Sequence, residues 1–413
     1  MKGLLACGAM TGLVGSAAEE VIAVGSRLSV PALDLAPTRA ISQATACDTA
    51  GGRSLEVGPG KAYAVPSAAA VVSQSGDVIR IAAGDYRGDV TSWYRSNLTI
   101  CGVGGRARLF ADGNYAQGKA IWVVVGSNTA IDSIEFHGAK VPDRNGAGIR
   151  ADHGGSLLIR NSGFFDNENG ILGGNAGSTI SIEGSEFARN GYGDGYSHNI
   201  YIGAVDRLTV SAAFFHEAKV GHNLKSRARE SVIENSYFMD GVSGNSSYLA
   251  DFPNGGVVLL RGNLFQKGPN AENSTAIAYA AEGLKWGTNT LELIHNTVVN
   301  TRSGGAFLSA PAGTQSVKLT ANLFAGTGNP ALVGGGFASG SIVQQGNVFS
   351  IASNFPGADN VALPTFWPNA SLEALIGVGG IPDAGYTTDA PRPFVLRAIS
   401  GRGRVAGALQ SPP

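Results

Sequence analysis

The stretches IRNSGF (159–164) and IEGSEF (182–187) share one pattern, an apolar residue followed five positions later by phenylalanine. Further copies, which end in phenylalanine or valine, finish at Phe136, Phe215, Phe238, Phe265, Val298, Phe324 and Phe349. A repeat of about 25 residues predicts one solenoid coil per copy, because a coil can bury its apolar face only against a neighbouring coil. Several copies also place asparagine two positions before the aromatic residue, which predicts a ladder of side-chain amides at one turn.

The composition agrees with many short strands. The 413 residues include 60 Gly but only 3 Met and 4 Trp, a mixture that favours strands joined by tight turns over long helices. The net charge of −1 offers no general attraction to nucleic acid or to an acidic membrane. No run reaches the roughly 18 apolar residues needed to cross a bilayer. We therefore expect one β-rich domain without nucleic-acid binding or membrane insertion.

A second apolar register precedes each aromatic position, in segments such as GIRAD, NIYIG and NLKSR. Its predicted inward members are Ile149, Ile171, Ile200, Leu224, Leu249, Ile277 and Phe307. Side chains alternate along a strand, so the next residue of each segment is predicted to point outward. The predicted outward column is Arg150, Leu172, Tyr201, Lys225, Ala250, Ala278 and Leu308. Rungs lie about 4.8 Å apart, so Tyr201 and Lys225 are expected to be direct neighbours, with Arg150 two rungs from Tyr201.

The ends of the repeat region have signatures of their own. Residues 66–75 are predicted to form a short helix started by Pro-Ser, and VIRIAAGDY (78–86) a strand. Together they resemble the entry cap of right-handed parallel β-helix proteins, the pectate-lyase-like superfamily. The resemblance implies an all-β, right-handed parallel β-helix of about ten coils. NASLEALIG (369–377) is predicted to be a short helix. DAPRPFVLR (389–397) followed by GALQSPP (407–413) resembles the closing segment of bacterial β-helix polysaccharide enzymes.

These features divide the chain into four parts. Residues 1–18 resemble a secretory signal, with one Lys, a small apolar stretch and Ser-Ala-Ala before two Glu. We predict a poorly ordered leader over 19–56, the β-helix over 57–354 and a cap lying back on the solenoid over 355–413. The protein is expected to be secreted or periplasmic. In that setting Cys47 and Cys101 either form a disulfide or remain two separate thiols.

The strongest cluster of basic side chains lies in GHNLKSRARE (221–230), in a chain whose charged fraction is only 15%. Its members are His222, Lys225, Arg227 and Arg229. One interpretation is a solvated basic loop. The other is a row of cations that neutralises carboxylates along a sugar polymer, with Arg supplying paired contacts. The second is favoured by the position of Lys225 in the predicted outward column.

Two histidines, His198 and His222, begin equivalent strands, so they are predicted to stack on successive rungs. They are either a packed pair or an acid–base pair, since two facing imidazoles disfavour double protonation and can leave one neutral near pH 7. Tyr201 is either a platform for a sugar ring or, beside Lys225, a residue that exchanges a proton.

Polar residues on neighbouring segments are predicted to surround this group. The candidates are Tyr248, Asp251 and Asn254 in SSYLADFPNGG (246–256), Lys267, Glu272 and Glu282 on the next coil, and Tyr192, Asp194 and Tyr196 in the long loop 188–199. Asp251 is either a turn carboxylate or a partner that orients Lys225 and Arg227. The residues of the next coil are predicted to rim a groove, and those of the long loop to overhang it.

No spacing typical of metal ligands stands out, because close Asp-x-Asp pairs are absent and the His and Asp residues are isolated. We expect no cofactor, with a calcium ion shared by carboxylates of adjacent coils as the alternative. The expected partner is an acidic polysaccharide, and the expected state is a monomer.

The resemblance implies three possible functions. The first is a polysaccharide lyase, or a C5-epimerase that begins with the same proton abstraction, acting on a uronate polymer. Its predicted roles are neutralisation by Arg227 and Arg229 with Arg150, a base in Lys225 or His222, and an acid in Tyr201 or His198. The second is a glycoside hydrolase that uses Asp251 with Glu282 or Asp194. The third is a non-catalytic glycan-binding solenoid.

Overall fold

Each coil contributes up to three short strands, and equivalent strands of successive coils pair in parallel. The computed structural model describes residues 45–377, 388–389, 397–398 and 405–410. The predicted signal, residues 19–44 of the predicted leader, most of segment 389–397 and the last three residues lie outside these ranges. Within them, the chain forms an all-β parallel solenoid of about 11 turns, which confirms the predicted fold class.

The first strand column alternates inward apolar with outward polar side chains. Its strands are Ser54–Val57, Val78–Arg87, Thr99–Phe110, Thr129–Asp132, Ser156–Arg160, Thr179–Glu183, Arg207–Ser211, Glu230–Glu234, Val257–Arg261, Thr290–Ile294, Ser316–Thr320 and Val343–Gln345. In Thr179–Glu183, for example, Ile180 and Ile182 are buried while the residues between and beside them are half-buried. This period of two is typical of a strand with one face on the core.

The second column carries the repeated aromatic positions. The long strands Val78–Arg87 and Thr99–Phe110 extend into it. Its further strands are Ile134–His137, Gly163–Phe165, Glu186–Ala188, Phe214–His216, Tyr237–Met239, Leu264–Lys267, Thr297–Asn300, Leu323–Gly326 and Val348–Ile351.

The third column is a separate sheet of ten strands and carries the predicted outward residues. Its strands are Thr91–Trp93, Ala120–Val124, Ala147–Ala151, Asn169–Gly173, Ile200–Ile202, Leu224–Ser226, Ala250–Phe252, Ile277–Tyr279, Ala306–Ser309 and Ala331–Gly334.

The repeated aromatic residues form a continuous stack inside the solenoid. Phe164 pairs with Phe136 on one side and Phe187 on the other. The same register continues through Phe215, Phe238, Phe265, Val298, Phe324 and Phe349. From Phe136 to Phe265, ring centroids of successive phenylalanines lie 4.6 to 4.9 Å apart. The pairing confirms that one sequence repeat makes one coil.

A ladder of asparagines lies at the turn before these aromatic residues. The Oδ1 atom of Asn296 accepts hydrogen bonds from the backbone N–H and the side-chain amide of Asn263, each at 3.0 Å. Asn322 and Asn347 continue the same arrangement on the next two coils. The amides satisfy buried backbone groups that the turn leaves without a strand partner. The predicted amide ladder is therefore confirmed.

The N-terminal coils contain the predicted helix and strand, observed as Pro66–Val72 and Val78–Arg87. Residues 45–56, which the sequence analysis assigned to the leader, supply the short helix Ala46–Thr49 and most of the first strand, which pairs with the next. A disulfide joins Cys47 to Cys101, with a Cα–Cα distance of 6.0 Å. Of the two alternatives for these cysteines, the structure has the bridge.

The described C-terminal residues pack on the side of the solenoid. The predicted short helix is present as Ala370–Ile376. Its buried residues Leu372 and Ile376 join a cluster with outward apolar residues of the second column, including Met239, Leu264 and Val299. Shorter elements are the 3₁₀ turns Ser339–Ser341 and Ala352–Asn354 and the antiparallel pair Thr388–Asp389 with Arg397–Ala398.

Candidate functional site

Three outward side chains of the third column come from successive coils. Tyr201 pairs with Lys225, and Lys225 pairs with Asp251. The Nζ atom of Lys225 lies 5.6 Å from the centre of the Tyr201 ring. The predicted contact between Tyr201 and Lys225 is thus confirmed, and it depends only on the register of two adjacent strands.

The register of two later coils differs from the prediction. Lys225 faces Asp251 and not Ala250, because Ala250 pairs with the inward residue of the preceding coil and is buried in the core. Two coils further on, the outward residue is Ser309 and not Leu308. Both segments contain adjacent apolar residues that can each face inward, so alternation alone assigned the wrong one. The correction brings a carboxylate beside the lysine.

Arg227, directly after the strand Leu224–Ser226, forms hydrogen bonds and an ion pair with three other side chains. Its Nε atom donates to the Tyr201 hydroxyl oxygen at 2.7 Å, and its Nη1 atom donates to Asn254 Oδ1 at 2.7 Å. The guanidinium also forms a two-point pair with Glu282, with N–O distances of 2.7 and 3.0 Å. Lys225 Nζ lies 3.2 Å from the same carboxylate. The bonds from Arg227 and then Lys225 lower the pKa of Glu282 to about 2.

Asp251 is a buried carboxylate, with 2% of its surface exposed. Its Oδ2 atom lies 3.5 Å from Lys225 Nζ and 3.4 Å from His222 Nε2. Its Oδ1 atom is buried and accepts no hydrogen bond from any residue that the structure describes. Burial raises its pKa to about 6, although the charge of Lys225 acts in the opposite direction. We call Tyr201, Lys225, Arg227, Asp251 and Glu282 the polar cluster.

The two histidines stack as predicted, with ring centroids 4.7 Å apart. The Nδ1 atom of His198 accepts the backbone N–H of His222 at 3.0 Å, and the Nδ1 atom of His222 accepts that of Tyr248 at 3.1 Å. The Tyr248 ring also stacks on His222, at 5.2 Å. In a neutral ring the proton must then be on Nε2, since Nδ1 is the acceptor.

This bonding argues against the roles in proton transfer that we predicted for the histidines. Burial lowers the pKa of both imidazoles, to about 3 for His222. His222 therefore stays neutral and has no free lone pair with which to act as a base. His198 is fixed in the same way. We assign the pair to the packing that supports Asp251, which His222 Nε2 faces.

A close approach of two coils makes this stack possible. Gly221 precedes His222, and a Cβ atom at Gly221 would lie 1.8 Å from the carbonyl oxygen of Ser197 and 2.8 Å from His198 Nδ1. Only glycine allows the backbones to come this close. Beside them, Asn199 Nδ2 donates to Asn223 Oδ1 at 2.7 Å, so a second amide ladder fixes the backbone that follows each histidine.

Arg150 lies on the same outward face as the polar cluster but apart from it. Leu172 separates Arg150 from Tyr201, so the two are two rungs apart as predicted. Its Nε atom donates to Asp152 at 3.0 Å. Arg150 therefore shares the outward face of the third column and does not contact the polar cluster.

The predicted substrate-binding residue Lys267 lies away from the polar cluster. Lys267 was predicted to rim the groove, but it is completely buried, and its Nζ atom lies 3.5 Å from Asp240 and donates to the carbonyl oxygens of Ser246 and Ser247. It holds the segment that leads to Tyr248 from inside. The prediction was wrong because the sequence does not show which way the side chain at the end of a strand points.

The side chain of Arg229 is exposed and makes no hydrogen bond or ion pair with any described residue. Glu272 is likewise exposed and forms no ion pair within the described part of the chain. Neither residue joins the polar cluster.

The loop 188–199 exposes two aromatic rings, Tyr192 at 47% and Tyr196 at 81%. Asp194 accepts the backbone N–H of Tyr196 and so shapes the turn. The guanidinium of Arg144 lies over the Tyr192 ring at 4.5 Å. The position of Arg144 could not be predicted from the sequence, because Arg144 lies outside both repeat registers and belongs to no recognisable motif.

The two carboxylates of the polar cluster do not form the open pair that a glycoside hydrolase needs. Lys225 Nζ lies between them, 3.5 Å from Asp251 and 3.2 Å from Glu282. The cluster does not fit calcium either, because a lysine and an arginine already neutralise its carboxylates. Among the described residues, no group of three or more His, Cys, Asp and Glu side chains is placed to hold a metal ion.

Comparison with known proteins identifies the fold. No protein-family model and no curated protein sequence matches the chain. The crystal structure of pectate lyase Pel9A matches it with a TM-score of 0.56 at 15% identity, over 83% of this chain and 90% of that one. The chain has the pectate-lyase-like parallel β-helix fold. The crystal structure of alginate lyase from Paenibacillus sp. str. FPU-7 matches with a TM-score of 0.53 at 17% identity, over 70% of this chain and 99% of that one.

At these identities the likeness concerns the fold alone. Within the pectate-lyase-like β-helix of this chain, the polar cluster lies on the outer face of the third column, on three successive coils and the loop of a fourth. No helix among the described residues is long and apolar enough to span a membrane.

Proposed function

We propose that the chain is a polysaccharide lyase that cleaves a uronate-containing polymer by β-elimination. The observation that carries the proposal is the contact of a phenol, an amine and a guanidinium in one group, formed by Tyr201, Lys225 and Arg227. The pectate-lyase-like fold, which two polysaccharide lyases share, supports it.

The reaction makes three demands on the protein. The C5 hydrogen of a uronate is only weakly acidic, so the neighbouring carboxylate must be neutralised before a base can remove it. The electron pair of the C5–H bond then forms the C4–C5 double bond, and the C4–O bond breaks. The leaving oxygen needs a proton from an acid.

The polar cluster has one side chain for each demand. Arg227 can neutralise the carboxylate through two parallel N–H bonds. Lys225 is our candidate base once it has released its proton to solvent, and the carboxylate of Asp251 orients it. Tyr201 is our candidate acid, because its oxygen already accepts a bond from Arg227, which leaves its own proton free to be donated. The same bond stabilises the phenolate that forms.

A C5-epimerase would share the first step and return the proton to the opposite face of the ring. It stays the alternative within this chemistry. A non-catalytic glycan-binding solenoid would use the same arginine and lysine without turnover.

The test is incubation with pectate, alginate and other polyuronates, followed by ultraviolet absorbance of the unsaturated product and its mass. We expect Lys225→Ala and Tyr201→Phe to lower kcat by roughly 10²–10⁴-fold. Lys219→Ala is the matched control, because Lys219 lies on the same coil but pairs with Asp166 on the surface, and we expect it to retain activity.

Deuterium incorporation without absorbance would identify the epimerase, and new reducing ends without absorbance a hydrolase. Binding without any of these products would leave only the glycan-binding alternative. Each of these outcomes overturns the lyase proposal.

We also propose that the protein is secreted or periplasmic. The disulfide between Cys47 and Cys101 supports this location, because disulfides persist in oxidising compartments. Cell fractionation with an antibody against the chain tests it, and recovery in the cytosol alone would contradict it.

A further inference from the structure

Glu282 reaches the polar cluster from the loop that follows the strand Ile277–Tyr279. Its backbone N–H donates to the Pro253 carbonyl oxygen at 3.0 Å, which ties the loop to the preceding coil. The side chain remains 48% exposed. It extends back past the coil of Asp251 to reach the arginine and the lysine two coils away.

The contacts of this carboxylate are those that a bound uronate would need. Arg227 holds it at two points, with N–O distances of 2.7 and 3.0 Å, and Lys225 Nζ lies 3.2 Å away. A planar guanidinium that meets a carboxylate at two points is a geometry suited to recognising acidic ligands. Glu282 therefore fills the subsite that the proposed reaction assigns to the substrate.

The subsite does not depend on Glu282 for its shape. Arg227 keeps its bonds to the Tyr201 hydroxyl and to Asn254, both at 2.7 Å. Lys225 keeps Asp251 at 3.5 Å. Removal of Glu282 would leave two cations, each held by another residue and facing the solvent side from which Glu282 came.

We propose that Glu282 is an internal competitor for the carboxylate subsite of Arg227, and that a substrate uronate must displace it before reaction. This inference rests on the proposed function. Without substrate, Glu282 keeps both cations paired. When a sugar carboxylate takes its place, Arg227 again pairs with a carboxylate, and the half-exposed Glu282 side chain turns towards water.

A competing Glu282 and a supporting Glu282 predict opposite changes in the affinity for acidic sugars when the residue is removed. If Glu282 competes, its removal strengthens binding of acidic sugars, whereas loss of a supporting residue weakens it. Exposed ion pairs contribute little free energy because water and salt screen them. We therefore expect the dissociation constant for oligouronates to fall by about two- to tenfold.

The experiment is calorimetric titration of the full chain with oligouronates prepared from pectate and from alginate. Glu282→Gln keeps the size of the side chain without its charge, and Glu282→Ala removes both. Glu272→Gln is the matched control, because it removes an exposed carboxylate from the preceding loop, outside the polar cluster. Thermal unfolding of each variant shows that it is folded.

Tighter binding in both Glu282 variants, with no change in Glu272→Gln, would establish the competitor. Unchanged or weaker binding in folded Glu282 variants overturns the competitor inference. The proposed lyase function would still stand in that case if the absorbance assay, run separately, shows turnover. If neither the parent chain nor the variants bind any oligouronate, both this inference and the proposed function are wrong.

Discussion

His222 shows how a side chain that looks reactive in the sequence is fixed by its surroundings. Its Nδ1 atom accepts the N–H of Tyr248, and its Nε2 atom faces Asp251. The stacking could be predicted from the repeat spacing, because it needs only the coil register. The tautomer could not, because it depends on which backbone N–H of the next coil points at the ring.

The depressed pKa of His222 makes a prediction about acid stability. Its pKa is about 3 in the folded chain and 6.5 as the ordinary value. As the pH falls below 6.5, the unfolded chain binds a proton that the folded chain does not. The contribution of neutral His222 to the free energy of unfolding is therefore fully present above pH 6.5. It is lost as the pH falls towards 3, by roughly 3–5 kcal/mol at most. We expect His222→Gln, which cannot ionise, to lose less stability over this range.

Chemical unfolding of both chains at several pH values tests this prediction. The difference between the two is the relevant quantity, because the raised pKa of Asp251 acts in the opposite direction as the pH falls below 6. Identical losses in the parent chain and the variant would contradict it. A histidine signal of His222 that titrates near pH 6.5 by nuclear magnetic resonance would do the same.

Asp251 was one predicted partner of Lys225, but its position in the outward column could not be predicted from the sequence. Tyr201 and Lys225 were placed correctly because one apolar residue stands on each side of Tyr201 and directly before Lys225. In YLADF the two apolar residues before Asp251 are adjacent, so period-two alternation permits two registers. The pairing of whole strands decides between them, and the choice puts a carboxylate in the polar cluster.

At the level of elements, the stack of phenylalanines is the main support of the second column. Phe215 is fully buried, with ring centroids 4.7 and 4.9 Å from Phe187 and Phe238. Its stacking was predictable because the repeated phenylalanine is large, apolar and regularly spaced. The packing of Ala370–Ile376 on the side of this column was not, because no repeat relates the two.

We expect Phe215→Ala to destabilise the chain by roughly 3–5 kcal/mol, since it removes a buried ring and leaves a cavity between two others. Phe349→Ala is the matched control, because Phe349 continues the same register but is 53% exposed in the last coil. We expect Phe349→Ala to lower the free energy of unfolding by clearly less. Denaturant unfolding measures the free energy of unfolding of both variants. Equal losses would show that burial within the stack does not set the contribution of each phenylalanine.

At the scale of the whole molecule, one covalent bond joins the first helix to the body of the solenoid. Cys47 and Cys101 are both buried, and the bond closes a loop of 54 residues. A loop of that length predicts a stabilisation of about 4 kcal/mol from the restricted unfolded chain. The pairing itself could not be predicted, because two cysteines in a sequence can also remain apart.

We therefore expect Cys47→Ser/Cys101→Ser to unfold at a lower denaturant concentration than the parent chain. The reductant provides the control. Unfolding in its presence should lower the midpoint of the parent chain to that of the double variant and leave the variant itself unchanged. An equal shift in both would mean that the reductant acts elsewhere.

Tyr201, Lys225 and Asp251 lie on three successive coils, which affects how such a chain can evolve. Each of the three lies on its own coil, so their separation is counted in whole coils. Duplicating a coil between the first two would double their spacing to about 9.6 Å and dismantle the group in one event. The same duplication beyond residue 310 would lengthen the molecule and leave the polar cluster intact. The length of the solenoid and the composition of the polar cluster can thus vary independently in one lineage.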